Sequence, residues 1–176
     1  KVILYAPTWR ENQHLPGEGY QFQLPVDFKR WREVLGDEYV ILFRAHYFIS
    51  NSFDFVAFSG FVYDVSQMDD INPLYLVADV LITDYSSIYI DYLLLERPML
   101  FLPYDREDYL KTRGFNFDYD EVTPGPKPKS YAEFLNSIEG LLYNEMNYVE
   151  NRKKIERKFN KIQEPCSEYI CRMVKE

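Results

Sequence analysis

Short runs of consecutive apolar residues alternate along this chain with stretches whose apolar positions recur every three or four residues. Val2 to Ala6, Tyr39 to Phe43 ("YVILF") and Met99 to Leu102 ("MLFL") are such runs, of strand length, and Phe61 to Val65 and Asp79 to Thr83, each with one aspartate, are further strand candidates. They lack the in–out alternation of a half-exposed strand, so both of their faces are expected to be covered. Between them, Phe28, Trp31, Val34 and Leu35 recur at helical spacing from Asp27, and Gly36 closes that helix. Asn72-Pro73 opens another, a capping side chain followed by proline, with Leu74, Val77 and Ala78 as its apolar face. Ser86 to Leu95 forms the next helix, and Pro98 parts it from the final strand. Strands alternating with helices of this length predict a parallel sheet with helices on both faces, a doubly wound α/β fold.

After Pro103 the pattern changes. Asp105 to Arg113 reads as helix, and Gly114 to Lys129 ("GFNFDYDEVTPGPKPK") as an irregular loop rich in aromatic, acidic and proline residues. Ser130 to Tyr143 and Tyr148 to Ile162 are two further helices, the first begun by the capping pair Ser130 and Glu133. The expected organisation is an α/β domain over 1–130, with a helical extension over 131–176 packing on it. The polar, glycine-containing stretch Thr8 to Leu24 is read as a loop.

Composition narrows the function. A hydrophobic fraction of 47% supports a proper core, while a formal net charge of −8 argues against a nucleic-acid binder, which needs a basic face. The sixteen tyrosines suit half-buried packing or a cleft lined by amphipathic rings. Cys166 and Cys171 match no metal-ligand spacing and are expected to be buried or idle in a reducing compartment. No run is long and apolar enough to span a bilayer. Lys1 to Tyr5 is already strand, so the chain reads as a piece of something longer. Arg152, Lys153 and Lys154, with Arg157, Lys158 and Lys161, form a basic stripe. Such stripes are solvated faces or, less often, contacts to anionic lipid.

The chemistry concentrates at strand ends. Ligands of open α/β sheets bind beyond the carboxyl ends of the strands. Asp84-Tyr85-Ser86-Ser87 stands there, where an apolar strand gives way to a helix. Ser86 is then either a helix cap or, with Ser87, part of a cradle for a phosphate or diphosphate. Thr8 and Arg10 follow the first strand, and Arg44 and His46 the second. Arginine binds phosphate bidentately, and histidine can protonate a departing phosphate. Each of these could equally be a surface ion pair or a satisfied histidine. Asp69 and Asp70 lie just ahead of a helix and suit its start better than a metal. His14 has no evident partner.

Five segments in order carry a resemblance: "YAPTWRE" (Tyr5 to Glu11), "RAHYF" (Arg44 to Phe48), "VLITDYSS" (Val80 to Ser87), "RPMLFLPYD" (Arg97 to Asp105) and "GFNFDYDEVTPGP" (Gly114 to Pro126). Over nearly its whole length the chain resembles the CDP-glycerol glycerophosphotransferases, which include teichoic acid polymerases and primases. The resemblance implies the C-terminal, Rossmann-like, donor-binding half of a GT-B arrangement. The N-terminal half, which supplies acceptor contacts and a catalytic histidine in that family, is then absent. It further implies transfer of glycerol phosphate from CDP-glycerol to a hydroxyl of a glycerol-phosphate polymer or glycan, releasing CMP. By the same resemblance, Ser86 and Ser87 hold the diphosphate, His46 is catalytic and assists the leaving phosphate, and Arg44 lies nearby. Asp84 orients the loop, Thr8 and Arg10 face the interdomain cleft, and Tyr119, Asp120 and Glu121 touch the glycerol or close the site.

No resident metal is expected, although a magnesium ion could accompany the substrate. The expected location is cytoplasmic, peripheral on the inner face of the membrane, in cell-wall polymer synthesis. Two alternatives stay open: a nucleotide-sugar-dependent GT-B glycosyltransferase domain, and a non-catalytic α/β interaction module using the 114–126 loop.

Overall fold

The structure is a computed structural model that describes residues 1–8, 10, 14–15, 19–20, 25–45, 55–143, 146–161 and 166–175. The strands are β1 (Val2–Ala6), β2 (His14–Leu15), β3 (Gly19–Tyr20), β4 (Val40–Phe43), β5 (Val62–Asp64), β6 (Val80–Thr83) and β7 (Met99–Phe101). The α-helices are α1 (Phe28–Leu35), α2 (Asn72–Val77), α3 (Ile88–Tyr92), α4 (Arg106–Thr112), α5 (Tyr119–Val122), α6 (Tyr131–Tyr143), α7 (Met146–Phe159) and α8 (Ser167–Lys175).

The main sheet has five strands in the order β5-β4-β1-β6-β7. Every pairing in it is parallel. β2 and β3 form a separate antiparallel pair inside the stretch expected to be a loop. Side chains of the main strands divide between two clusters. Ile3, Tyr5, Ile41, Phe43, Val80, Ile82 and Leu100 pack with Phe28 and Trp31 of α1 and Phe134, Ile138 and Leu141 of α6. Leu4, Ala6, Leu81, Met99 and Phe101 face the other way, onto Leu74 and Tyr75 of α2, Tyr89 and Tyr92 of α3 and Ile155 of α7. The expected parallel sheet with helices on both faces is thus observed, and the runs of β1, β6 and β7 reflect burial on two sides, whereas β5, at the sheet edge, leaves Tyr63 and Asp64 exposed.

Local chemistry explains the helix starts. The Asp27 carboxylate accepts from the N–H groups of Lys29 and Arg30 and begins α1. Before α2 the accepting side chain is Asp70, which takes the Asn72 N–H at 2.9 Å, while Pro73 occupies the first turn. The capping role expected of Asn72 therefore belongs to the aspartate two residues earlier. Ser130 accepts the Glu133 N–H at 3.2 Å, and Glu133 reaches back to the Lys129 N–H at 2.8 Å.

Other expectations change. The helix expected over Ser86 to Leu95 is α3 alone, followed by a 3₁₀ turn at Leu93–Leu95 and a left-handed Glu96 (φ 53°). With only Arg97 and Pro98 left before β7, the chain must tighten there to enter the sheet. Asp118 caps a short helix, α5, within the stretch expected to be irregular. Arg152 does not join a basic stripe. It shares a face with Ile155 and Phe159 and is 2% exposed. Cys166 and Cys171 are free and exposed rather than buried. Among the described residues no helix is long and apolar enough to cross a membrane.

Candidate functional site

The chain leaves β1 through α1 to β4 and β5 on one side, then returns to β6 and β7 on the other. The carboxyl ends of β1 and β6 therefore flank the point where the strand order reverses, the usual place for a ligand crevice. Thr8, Arg10 and Asp84 lie there, tied to one another. Thr83 secures the junction from below, its buried hydroxyl donating to the Ala6 carbonyl at 2.7 Å.

Asp84 is 2% exposed and accepts from four donors. The Thr8 N–H and hydroxyl donate to one carboxylate oxygen at 2.8 and 2.6 Å, as does the Tyr85 N–H at 2.6 Å. Arg10 donates to the other at 2.8 Å. A carboxylate so buried is held by charge-assisted bonds on both oxygens, which offset the cost of taking it out of water. Both of its oxygens are thus engaged within the protein.

Arg10 is equally committed. Its Nε and Nη2 donate to both oxygens of Asp105, at 2.7 and 3.0 Å, and its Nη1 donates to the Thr8 carbonyl at 2.6 Å. The rings of Tyr85, Tyr104 and Tyr109 surround the guanidinium at 5.0, 5.1 and 5.3 Å. Burial alone would lower its pKa, but the bonds to Asp105 and the charge of Asp84 outweigh this and raise it. Arg10 thus spans three strand ends instead of presenting a free fork to the cleft.

Ser86 and Ser87 follow directly. Ser87 is exposed, its backbone is already helical, and its side chain makes no capping bond. The Ser86 hydroxyl lies 3.4 Å from the Ile88 N–H, at the outer edge of hydrogen-bond range. Simple capping thus accounts for little of this serine pair. α3 has only five residues, so its macrodipole adds little to any attraction for an anion.

The remaining candidates are spread more widely. Arg44, at the end of β4, donates to the carbonyls of Val65 and Met68 at 3.3 and 2.7 Å and so fastens the loop after β5. His46 lies outside the described residues. Tyr119 is buried, and its hydroxyl donates to the Asp84 carbonyl at 2.8 Å. Asp120 pairs with Arg106 at 2.8 Å, and Glu121 is exposed. Thr8, Arg10, Asp84 and Tyr119 are therefore one contiguous unit.

Sequence reasoning missed Asp105 and the tyrosines that complete this unit. Tyr85 stacks on Tyr109 with centroids 4.1 Å apart, and its hydroxyl donates to Asp105 at 3.0 Å. Burial, then the neighbouring Asp105, raises the Tyr85 pKa. One signal was available: Asp105 stands beyond the end of β7, on the same rim as the ends of β1, β4 and β6.

Beside this unit, and sharing Tyr104 and Asp105 with it, is a cavity of about 910 Å³ floored by Trp31, Leu102 and Phe134. Its charges largely offset one another, since Arg106 and Lys127 both approach Asp120. Among the described residues no group of three or more His, Cys, Asp or Glu is arranged to hold a metal ion.

Residues 1–176 match the family model described as CDP-Glycerol:Poly(glycerophosphate) glycerophosphotransferase. The chain is 41% identical over 176 residues to a teichoic acid poly(glycerol phosphate) polymerase of Bacillus subtilis, covering 92% of this chain and 24% of that protein. It is 43% identical over 145 residues to a teichoic acid poly(ribitol-phosphate) polymerase of Bacillus spizizenii, covering 82% of this chain and 23% of that protein. The structure of the wall teichoic acid polymerase TagF superposes with a TM-score of 0.86 at 37% identity, over 99% of this chain and 42% of that one. A variant of that polymerase soaked with CDPG matches with a TM-score of 0.83. The chain spans about a quarter of the length of these two curated relatives.

Proposed function

The chain belongs to the CDP-glycerol:poly(glycerophosphate) glycerophosphotransferase family, and on that premise we propose that it is the donor-binding part of a transferase. The reaction moves glycerol phosphate from CDP-glycerol to a hydroxyl of a poly(glycerol phosphate) or glycan acceptor. The acceptor oxygen attacks the β-phosphorus, the bond to the bridging oxygen breaks, and CMP leaves. The acceptor proton passes to a base supplied by the rest of the protein, in the second half of a GT-B arrangement.

Within this chain the work is positioning and charge neutralisation. Ser86 and Ser87 donate to the diphosphate, and His46 supplies a proton to the departing CMP. Arg44 lends positive charge at the neighbouring strand end. Thr8, Arg10, Asp84 and Tyr119 hold the turn, while Asp120 and Glu121 border the glycerol end. The full-length protein works at the inner face of the membrane.

The observation that carries this reading is the serine pair: polar, little used for capping, and joined to an anchored aspartate where the strand order reverses. The ribitol-phosphate relative supports a second donor, CDP-ribitol. Calorimetric titration of the full-length protein with CDP-glycerol, CDP-ribitol and a UDP-sugar separates the readings. CDP-glycerol is expected to bind most tightly, and Ser86→Ala/Ser87→Ala to weaken it at least tenfold. A preference for CDP-ribitol would change the donor. A preference for the UDP-sugar would move the protein to the glycosyltransferases, and undiminished binding by the double variant would remove the serines from the site.

A further inference from the structure

The residue immediately before the serine pair is fixed from three directions. The Tyr85 N–H donates to Asp84 at 2.6 Å. Its ring lies on Tyr109 of α4, with Phe115 at 5.6 Å and Tyr119 at 5.5 Å closing the cluster. Its hydroxyl donates to the Asp105 oxygen that also receives Arg10 Nη2. Asp105 in turn holds Arg10 with both oxygens, and Arg10 holds Asp84. The closed circuit Asp84–Arg10–Asp105–Tyr85 returns to the peptide bond next to Asp84.

Such a circuit restrains the turn in a way that a single contact cannot. A swing of the Ser86 backbone would require Tyr85 to leave Tyr109, release Asp105 and loosen the grip on Arg10. Its members are half-buried or buried, where hydrogen bonds to ionised groups are stronger than in water. None of the circuit's side chains is left over to bind a ligand, because each is occupied within it.

We propose that Tyr85 and Asp105 are positioning residues that hold the Asp84–Ser87 turn ready for the donor diphosphate, with the β7–α4 connection acting as the outer jaw of the clamp. The proposal rests on the donor-site reading given above for Ser86 and Ser87. It goes further in giving the β7 strand end a function and in stating how the turn is kept in place. A donor then binds without first ordering the turn, so the clamp is felt in donor affinity rather than in the chemical step.

The test uses the full-length protein carrying Tyr85→Phe, Asp105→Asn, or both. Each variant keeps shape and removes hydrogen-bonding capacity. Two readouts are taken together: amide hydrogen exchange of the peptide spanning 84–88 without ligand, and KM and kcat for CDP-glycerol against KM for the acceptor. Each single variant is expected to speed exchange in that peptide and to raise the donor KM about three- to tenfold, the scale of one ordinary intramolecular hydrogen bond. Acceptor KM and kcat should stay close to the parent's, and Tyr85→Phe should leave the melting temperature nearly unchanged, whereas Asp105→Asn lowers it because Arg10 loses one of its two carboxylate partners. Because Tyr85 and Asp105 act within one circuit, the double variant should fall short of the sum of the two single effects.

Unchanged exchange with unchanged donor KM overturns the proposal. So does a loss of kcat and melting temperature at constant donor KM, which marks an ordinary structural contact. If the parent protein does not use CDP-glycerol, the functional reading fails. The exchange measurement alone then decides whether the clamp orders the turn.

Discussion

At the scale of single residues, Asp84 decides most of what happens at the junction. Its two oxygens receive Thr8, Tyr85 and Arg10, and its carbonyl receives Tyr119. Replacing it by asparagine would set an NH2 group against a donor on one side or the other, because both oxygens now accept. Asp84→Asn should therefore cost about 2 to 4 kcal/mol of stability, somewhat less than an unpaired buried charge because Arg10 keeps Asp105. Urea unfolding of the variant measures this. A midpoint within error of the parent's would mean that the carboxylate is not the anchor described here. The importance of Asp84 was legible in the sequence, since an aspartate stands at the end of an apolar strand. The commitment of Arg10 was not. Whether an arginine offers its fork to a ligand or spends it on two carboxylates depends on Asp105, 95 residues further along.

Among the elements, the connections after β7 departed furthest from expectation. A stretch dense in proline, glycine and acidic residues reads as loop, yet Asp118 starts α5 and Tyr119 turns inward to the junction. The same stretch then runs alongside β7, where the Phe101 N–H donates to the Pro126 carbonyl at 3.0 Å. Gly125 makes that approach feasible, since a Cβ there would stand 2.3 Å from the Met99 carbonyl oxygen. Gly125→Ala is accordingly expected to destabilise the protein by about 1 to 3 kcal/mol as the segment is forced off the sheet edge. A thermal melt would read this as a drop of several degrees, and no drop would show that the segment can move away freely. The face of α7 teaches a related lesson. Arg152 looks basic in a basic run, but its spacing to Ile155 and Phe159 puts it on the buried side, a pattern the sequence did contain.

For the whole molecule, the reversal of strand order between β1 and β6 places the site, and α6 and α7 complete the core around it. Phe134 stacks on Trp31 with centroids 4.7 Å apart, and Ile138, Leu141 and Ile155 are also buried. Burying each such side chain contributes about 1.5 to 3 kcal/mol, so together they rival the whole stability of an ordinary domain. Residues 131–159 are therefore proposed to be part of the folding unit. Ending the chain after Ser130 should abolish cooperative thermal unfolding, and a truncated chain that still melted cooperatively would make 1–130 a domain in its own right.

The sequence by itself determined the class of fold, because apolar runs without alternation can be satisfied only by a sheet covered on both faces. Its ordered segments also determined the family. Only the tertiary structure decided which polar residues remain available at the strand ends. A side chain's partners are set by which strands become neighbours, and that order is a property of the folded sheet rather than of any local stretch of chain.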